Sequence, residues 1–186
     1  MLMAHLKQAT RERHAEVEAL MPVLDPALTQ AAYIRLLRQL LGVVAPLEAQ
    51  LLELPIPAAF GLEHRLRAPL LVRDLIALSA PTPVWPTRGM PAAPRLSGLG
   101  QGLGTLYVLE GSTLGGQVIG RHLRVALDIT AEWGGAYFHA HGEGTGAMWR
   151  AFGEALNLWE GDAEEVVAGA NLTFGAFADA LRGVPA

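Results

Sequence analysis

The sequence predicts an all-α protein of one domain, residues 1–186. Apolar residues recur at three- and four-residue steps through most of the chain, no run of alternating apolar and polar residues recurs, and no repeat of fixed period appears. The length agrees, because a chain of this size buries roughly 70% of its unfolded surface around a single core. With 51% hydrophobic and 17% charged residues, disorder arising from high charge and low hydrophobicity is excluded.

The elements follow in order. Leu2, Leu6, Ala9, Arg13, Val17 and Leu20 predict a first helix with one largely apolar stripe. Met21-Pro22 and Asp25-Pro26 end it, because proline disfavours helical geometry in the residue before it. Thr29 is the expected N-cap of a second helix that passes Tyr33, Leu36, Leu37, Leu40 and Leu41 and ends near Leu52, with Gly42 and Pro46 as places where it can bend. Leu54-Pro55-Ile56-Pro57 is a break, and Arg65, Leu66, Leu70, Leu71, Asp74, Leu75 and Leu78 predict a third helix. Ala80–Pro94, with five prolines, predicts an extended surface connection.

From Leu96 to Leu127, glycines stand at 98, 100, 102, 104, 111, 115, 116 and 120, yet Leu103, Leu106, Tyr107, Leu109, Leu114, Val118 and Leu123 keep helical spacing. Each interior glycine costs about 1 kcal/mol relative to alanine. A long, glycine-interrupted helix is therefore expected, its glycines serving close approach of something to the backbone. Thr130–Gly146 is expected to be a loop, followed by helices near Ala147–Leu158 and Ala163–Leu181, the last with Asp162 as N-cap.

Composition and motif checks remove most function classes. Without cysteine there are no disulfides, thiolate metal sites or cysteine nucleophiles. A net charge of −4 gives no electrostatic footprint for nucleic acid. No cation-led apolar segment opens the chain, and runs such as Leu40–Ala45 fall far short of the ~20 residues of a bilayer span. The expected setting is the cytoplasm, with no membrane and no nucleic acid. The glycines at 98, 100, 102 and 104 form no G-x-G-x-x-G, Lys7 is the only lysine and follows no phosphate loop, and Gly111-Ser112-Thr113-Leu114-Gly115 has its serine one place early for a nucleophile elbow.

Two features remain. His14 and Glu18 share a helix face, so the carboxylate can take one imidazole N–H and leave the other nitrogen for a metal, or the two can form an ordinary solvated pair. Gly111 and Gly115 lie about 6 Å apart on one side of a helix. They leave a groove where a flat ligand can touch backbone, or where a second helix can pack. His139-Ala140-His141 is a weaker surface metal pair.

Leu6-Lys7-Gln8-Ala9-Thr10-Arg11-Glu12-Arg13-His14 resembles the proximal-helix motif of haem oxygenases, and Tyr107-Val108-Leu109-Glu110-Gly111-Ser112-Thr113-Leu114-Gly115-Gly116-Gln117 resembles their distal-helix motif in its bacterial form. The likeness extends to bacterial, biliverdin-producing members, including those that supply bacteriophytochromes. It implies a haem oxygenase-like fold with haem, both cofactor and substrate, held between the two helices and cleaved with O2 and external electrons to biliverdin, iron and carbon monoxide. His14 matches the proximal ligand of the iron, with Glu18 as its carboxylate partner. Gly111 and Gly115, together with Gly116, match the distal glycines. Lys7, Arg150 and Tyr107 match groups that meet the propionates, and Asn171 and Phe174 fall where family members line the distal pocket. Ser112 departs from the pattern, because many members carry aspartate there to organise proton-delivering water. Delivery is then expected through Ser112 and Thr113 with water, or through another group. No flavin or nicotinamide motif is present, so a reductase or ferredoxin is the implied electron donor. Two other readings stay open: a haem carrier or sensor without turnover, and a helical protein with an unrelated small-molecule pocket.

Overall fold

Leu36, Leu37, Leu40, Val44, Leu47 and Leu51 are all fully or almost fully buried, and the stripe they form organises the rest of the molecule. They belong to the longest helix of the computed structural model, which describes residues 1–80 and 93–182. The helices are α1 (Leu2–Ala9), α2 (Arg11–Leu20), α3 (Gln30–Glu53), α4 (Ala68–Ala77), α5 (Leu99–Gly111), α6 (Gly116–Leu127), α7 (Ala136–His139), α8 (Thr145–Asn157) and α9 (Ala163–Arg182). Short 3₁₀ turns stand at Pro22–Leu24, Ala58–Phe60, Leu62–His64, Ser112–Gly115 and Gly142–Gly144. No strand occurs among the described residues, and none of their helices is long and apolar enough to cross a membrane.

The expected caps form. Thr29 accepts a hydrogen bond from the Ala32 amide at 3.2 Å and starts α3, and Asp162 accepts from the Glu164 amide at 2.9 Å at the start of α9. Pro46 is carried inside α3, which runs unbroken to Glu53. The expected connection Ala80–Pro94 lies mostly outside the described residues; its described end is held by Gln50, which donates to the Pro94 carbonyl and accepts from the Leu96 amide.

Four expectations need correction. The first helix is two helices: at Thr10 the backbone leaves helical geometry and the side-chain hydroxyl turns back to the Leu6 carbonyl at 2.8 Å. The third helix starts at Ala68, with Pro69 in its first turn, so Arg65 and Arg67 precede it. The long glycine-rich helix is interrupted by the 3₁₀ turn Ser112–Gly115. The expected loop 130–146 contains the short helix α7, whose first amides, Ala136 and Tyr137, each donate at 2.8 Å to buried Asp74.

The glycines of α5 have their close approach, and it is to α9. A Cβ on Gly104 would overlap the Val166 carbonyl oxygen, and one on Gly169 would overlap the Gln101 carbonyl oxygen, so each helix supplies a bare position to the other. Thr105 and Thr173 close the same crossing with a buried hydroxyl–hydroxyl bond of 2.9 Å. Gly104→Ala is expected to destabilise the protein by about 1–3 kcal/mol through overpacking. Gly175→Ala, where a Cβ meets nothing within 4 Å, is expected to stabilise it by about 0.5–1 kcal/mol. Urea denaturation of the two variants checks both signs.

Candidate functional site

α2 packs along α9, and none of its residues is buried. It is tied to the glycine-rich helix pair at both ends. Near its start, the Thr10 side chain interacts with Tyr107 of α5; beyond its end, a His122 ring nitrogen on α6 lies 3.1 Å from the Asp25 carbonyl. The kinked helix exposes apolar surface, with Leu114 at 50% and Val118 at 63%. A Cβ on Gly115 would meet only Ile119 of its own helix, at 3.5 Å.

His14 presents its imidazole from the α2 side, 57% exposed. Its Nδ1 is 3.4 Å from Glu18 Oε2, which leaves Nε2 free, and the ring meets the edge of Phe174 on α9 at a centroid distance of 5.8 Å. Lys7 on α1 and Arg150 on α8 are exposed, and Asn171 is half-buried one turn before Phe174. An apolar face, an accessible imidazole and cations on neighbouring helices fit a flat, apolar ligand that coordinates through a metal and carries anionic groups. Haem has that chemistry.

The remaining predicted residues have other surroundings. The bare side of Gly111 faces the Trp149 ring, 3.5 Å from where a Cβ would stand, and Gly116 is buried with its missing Cβ against the Phe138 carbonyl. Tyr107 is turned inward to Thr10 and packs on Trp149, and burial raises its pKa above the ordinary phenol value. Thr113 is buried and donates back to the Glu110 carbonyl at 2.8 Å. His139 is exposed while His141 turns toward Glu110, so they form no metal pair. No group of three metal-ligating side chains occurs among the described residues. A cleft of about 720 Å³ runs along α6 and α7 and is lined in part by Thr113, Leu114, Gly116 and His139.

Beneath the kink lies a polar network that the sequence did not announce. Glu48 of α3 accepts from the Arg67 and Ala68 amides at 2.6 and 3.0 Å and so caps α4. The Arg67 guanidinium donates to the Leu109 carbonyl at 3.1 Å, to Ser112 Oγ at 3.0 Å and to the Tyr137 carbonyl at 2.6 Å, and lies 4.3 Å from the Tyr137 ring centre. Ser112 donates to the Leu109 carbonyl at 2.7 Å. Burial pushes up the pKa values of Glu48 and Tyr137 against the pull of these partners. The only signal in the sequence was Ala68-Pro69, a helix-start pair that would have placed the two arginines in a turn.

A raised carboxyl pKa means the folded state holds its proton to higher pH than the unfolded chain. The stability linked to Glu48 is then full below the unfolded value of 4.5 and is lost as pH rises through the folded value. Glu48→Gln is therefore expected to cost most near pH 4, with the difference from wild type shrinking toward pH 7. Chemical denaturation of both proteins across that range checks it.

The family model described as Heme oxygenase matches residues 1–183. The haem oxygenase of Neisseria meningitidis, solved with NO and CO bound, superposes with a TM-score of 0.80 at 27% identity, over 98% of this chain and 90% of that one. A cyanobacterial haem oxygenase from Synechocystis, solved in complex with haem, has a TM-score of 0.71 at 18% identity, over 97% and 90% of the two chains. No curated protein matches.

Proposed function

The chain belongs to the haem oxygenase family, and on that premise we propose that it binds haem between α2 and the kinked α5–α6 pair and cleaves it to biliverdin, iron and carbon monoxide. The observation that carries this reading is the exposed His14 imidazole, whose ring is held by Glu18 and the buried Phe174 edge, in a chain whose kinked α5–α6 pair exposes Leu114 and Val118. Bound haem, with O2 and external electrons, supplies the redox chemistry and is itself the molecule cleaved.

The chain's own residues bind and orient. His14 offers Nε2 to the iron while Glu18 and the Phe174 edge hold the ring's direction. Gly115 leaves room for the distal backbone to approach the macrocycle, while Gly111, one turn before it, keeps the helix close to Trp149. Lys7 and Arg150 neutralise the propionates, and Asn171 and Phe174 line the pocket from α9. Gly116 supports the turn from behind, through Phe138, rather than meeting the ligand. Ser112 Oγ is the proton-handling atom, fixed by the Arg67 guanidinium and the Leu109 carbonyl.

Electrons come from a reductase or ferredoxin, and a bacteriophytochrome is the proposed recipient of the product. The proposed setting is the cytoplasm, and residues 1–186 form one functional domain. Serine in place of aspartate also keeps in view a haem carrier or sensor of the same fold. A single-turnover assay decides between them: hemin, then ascorbate in air. Loss of the Soret band with biliverdin in the extract is expected; a Soret complex that never bleaches identifies the carrier, and no Soret complex ends the haem reading.

The structure selects Gly115→Leu as the distal test, because a side chain at Gly111 would first strike Trp149. That variant is expected to keep hemin binding and lose about a hundred-fold in single-turnover rate. A full rate would remove Gly115 from the distal wall.

A further inference from the structure

Among the described residues, the buried side-chain polar atoms without a hydrogen-bond partner are Arg67 Nε and four atoms of a single cluster: Arg65 Nη1, Glu110 Oε1 and Oε2, and His141 Nε2. Glu110 stands in the last turn of α5, one residue before Gly111, and is 1% exposed. Two forces oppose a carboxylate there. The negative end of the helix dipole faces it, and burial removes its water.

Arg65 offsets both, with its Nη1 2.5 Å from Glu110 Oε1. His141 Nε2 is 3.5 Å from the other oxygen, an electrostatic contact outside hydrogen-bond geometry. Arg65 is itself held from three directions. Nε donates to the Phe60 carbonyl at 2.6 Å, Nη2 donates to the Met148 carbonyl at 3.2 Å, and the guanidinium lies 5.5 Å from the Phe152 ring centre. Met148 and Phe152 are on α8, and Trp149 between them faces the bare side of Gly111. One ion pair therefore sets the spacing between the end of α5 and α8.

We propose that Glu110 is a positioning residue for the distal wall: paired with Arg65 and faced by His141, it fixes the Gly111–Gly115 backbone and the Trp149 indole against each other. The significance of that wall rests on the haem reading above; the positioning itself does not, so the two can fail separately. Glu110→Gln removes the charge and keeps the shape. In the haem-free protein, hydrogen exchange at the Gly111–Gly116 amides is expected to quicken about ten-fold or more, while the amides of α3 keep their rates. Unchanged rates at Gly111–Gly116, or equal acceleration everywhere, would overturn the proposal.

If Glu110→Gln does not fold, the pair Arg65→Met with Glu110→Gln removes both charges, leaves neither unpaired, and is read in the same way. In the ferrous CO complex, the CO stretching band of the variant is expected to split or move, and a band identical to wild type would contradict the assignment. Should the wild-type protein take up no hemin, the functional reading falls while hydrogen exchange still decides the positioning claim.

Discussion

The contact on which the other placements depend is the backbone crossing of α5 and α9. Two helices carrying ordinary side chains pack with axes 8–10 Å apart. Gly104 and Gly169 remove the side chains from the crossing on both sides, so backbone meets carbonyl directly. α9 then carries Phe174 to His14 and supports α2, while α5 runs on into the turn at Ser112. The glycines weaken α5 as an isolated helix. Tertiary contact restores it, and the same crossing fixes where α2 and the turn at Ser112 stand on the molecule.

A second constraint comes from charge. Glu48, Arg65, Arg67, Asp74 and Glu110 are all buried, and each is given partners on separate elements. A buried ion pair is weak evidence of net stability. What it does well is forbid alternatives, because sliding any element strands a charge. These groups hold the segments with least regular structure: the turn before α4, the short α7, and the 3₁₀ turn between α5 and α6. The exposed side of that turn carries Gly115 and Leu114, and the buried side is polar and charged. This division suits a ligand that must be approached closely by backbone held in one place.

The sequence disclosed what local patterns encode. Helical spacing, the caps at Thr29 and Asp162, and the stops at Pro22 and Pro55 were legible because each depends on neighbours within one turn. His14 and the Gly111–Gly115 pair were legible through two motifs. Long-range partners were not. Nothing near Thr10 announces that its hydroxyl turns to Leu6 and to Tyr107, and so the break between α1 and α2 was missed. Arg65 reads as part of a helix and Arg67 carries no local signal of its own, yet both are interior cations whose partners lie far away at Glu48, Glu110, Ser112 and Tyr137. The glycines showed that something approaches the backbone; only the packed structure shows that it is α9 for Gly104, Phe138 for Gly116 and Trp149 for Gly111.

Coordination of the ligand's iron by His14 is the claim from which the functional reading follows. It is tested most directly by resonance Raman spectroscopy of the ferrous hemin complex of wild type and His14→Ala. The account predicts an iron–imidazole stretching band in wild type, its loss in the variant, and its return when free imidazole is added to fill the cavity. A band that persists in His14→Ala without added imidazole would assign the iron to another residue and contradict the account.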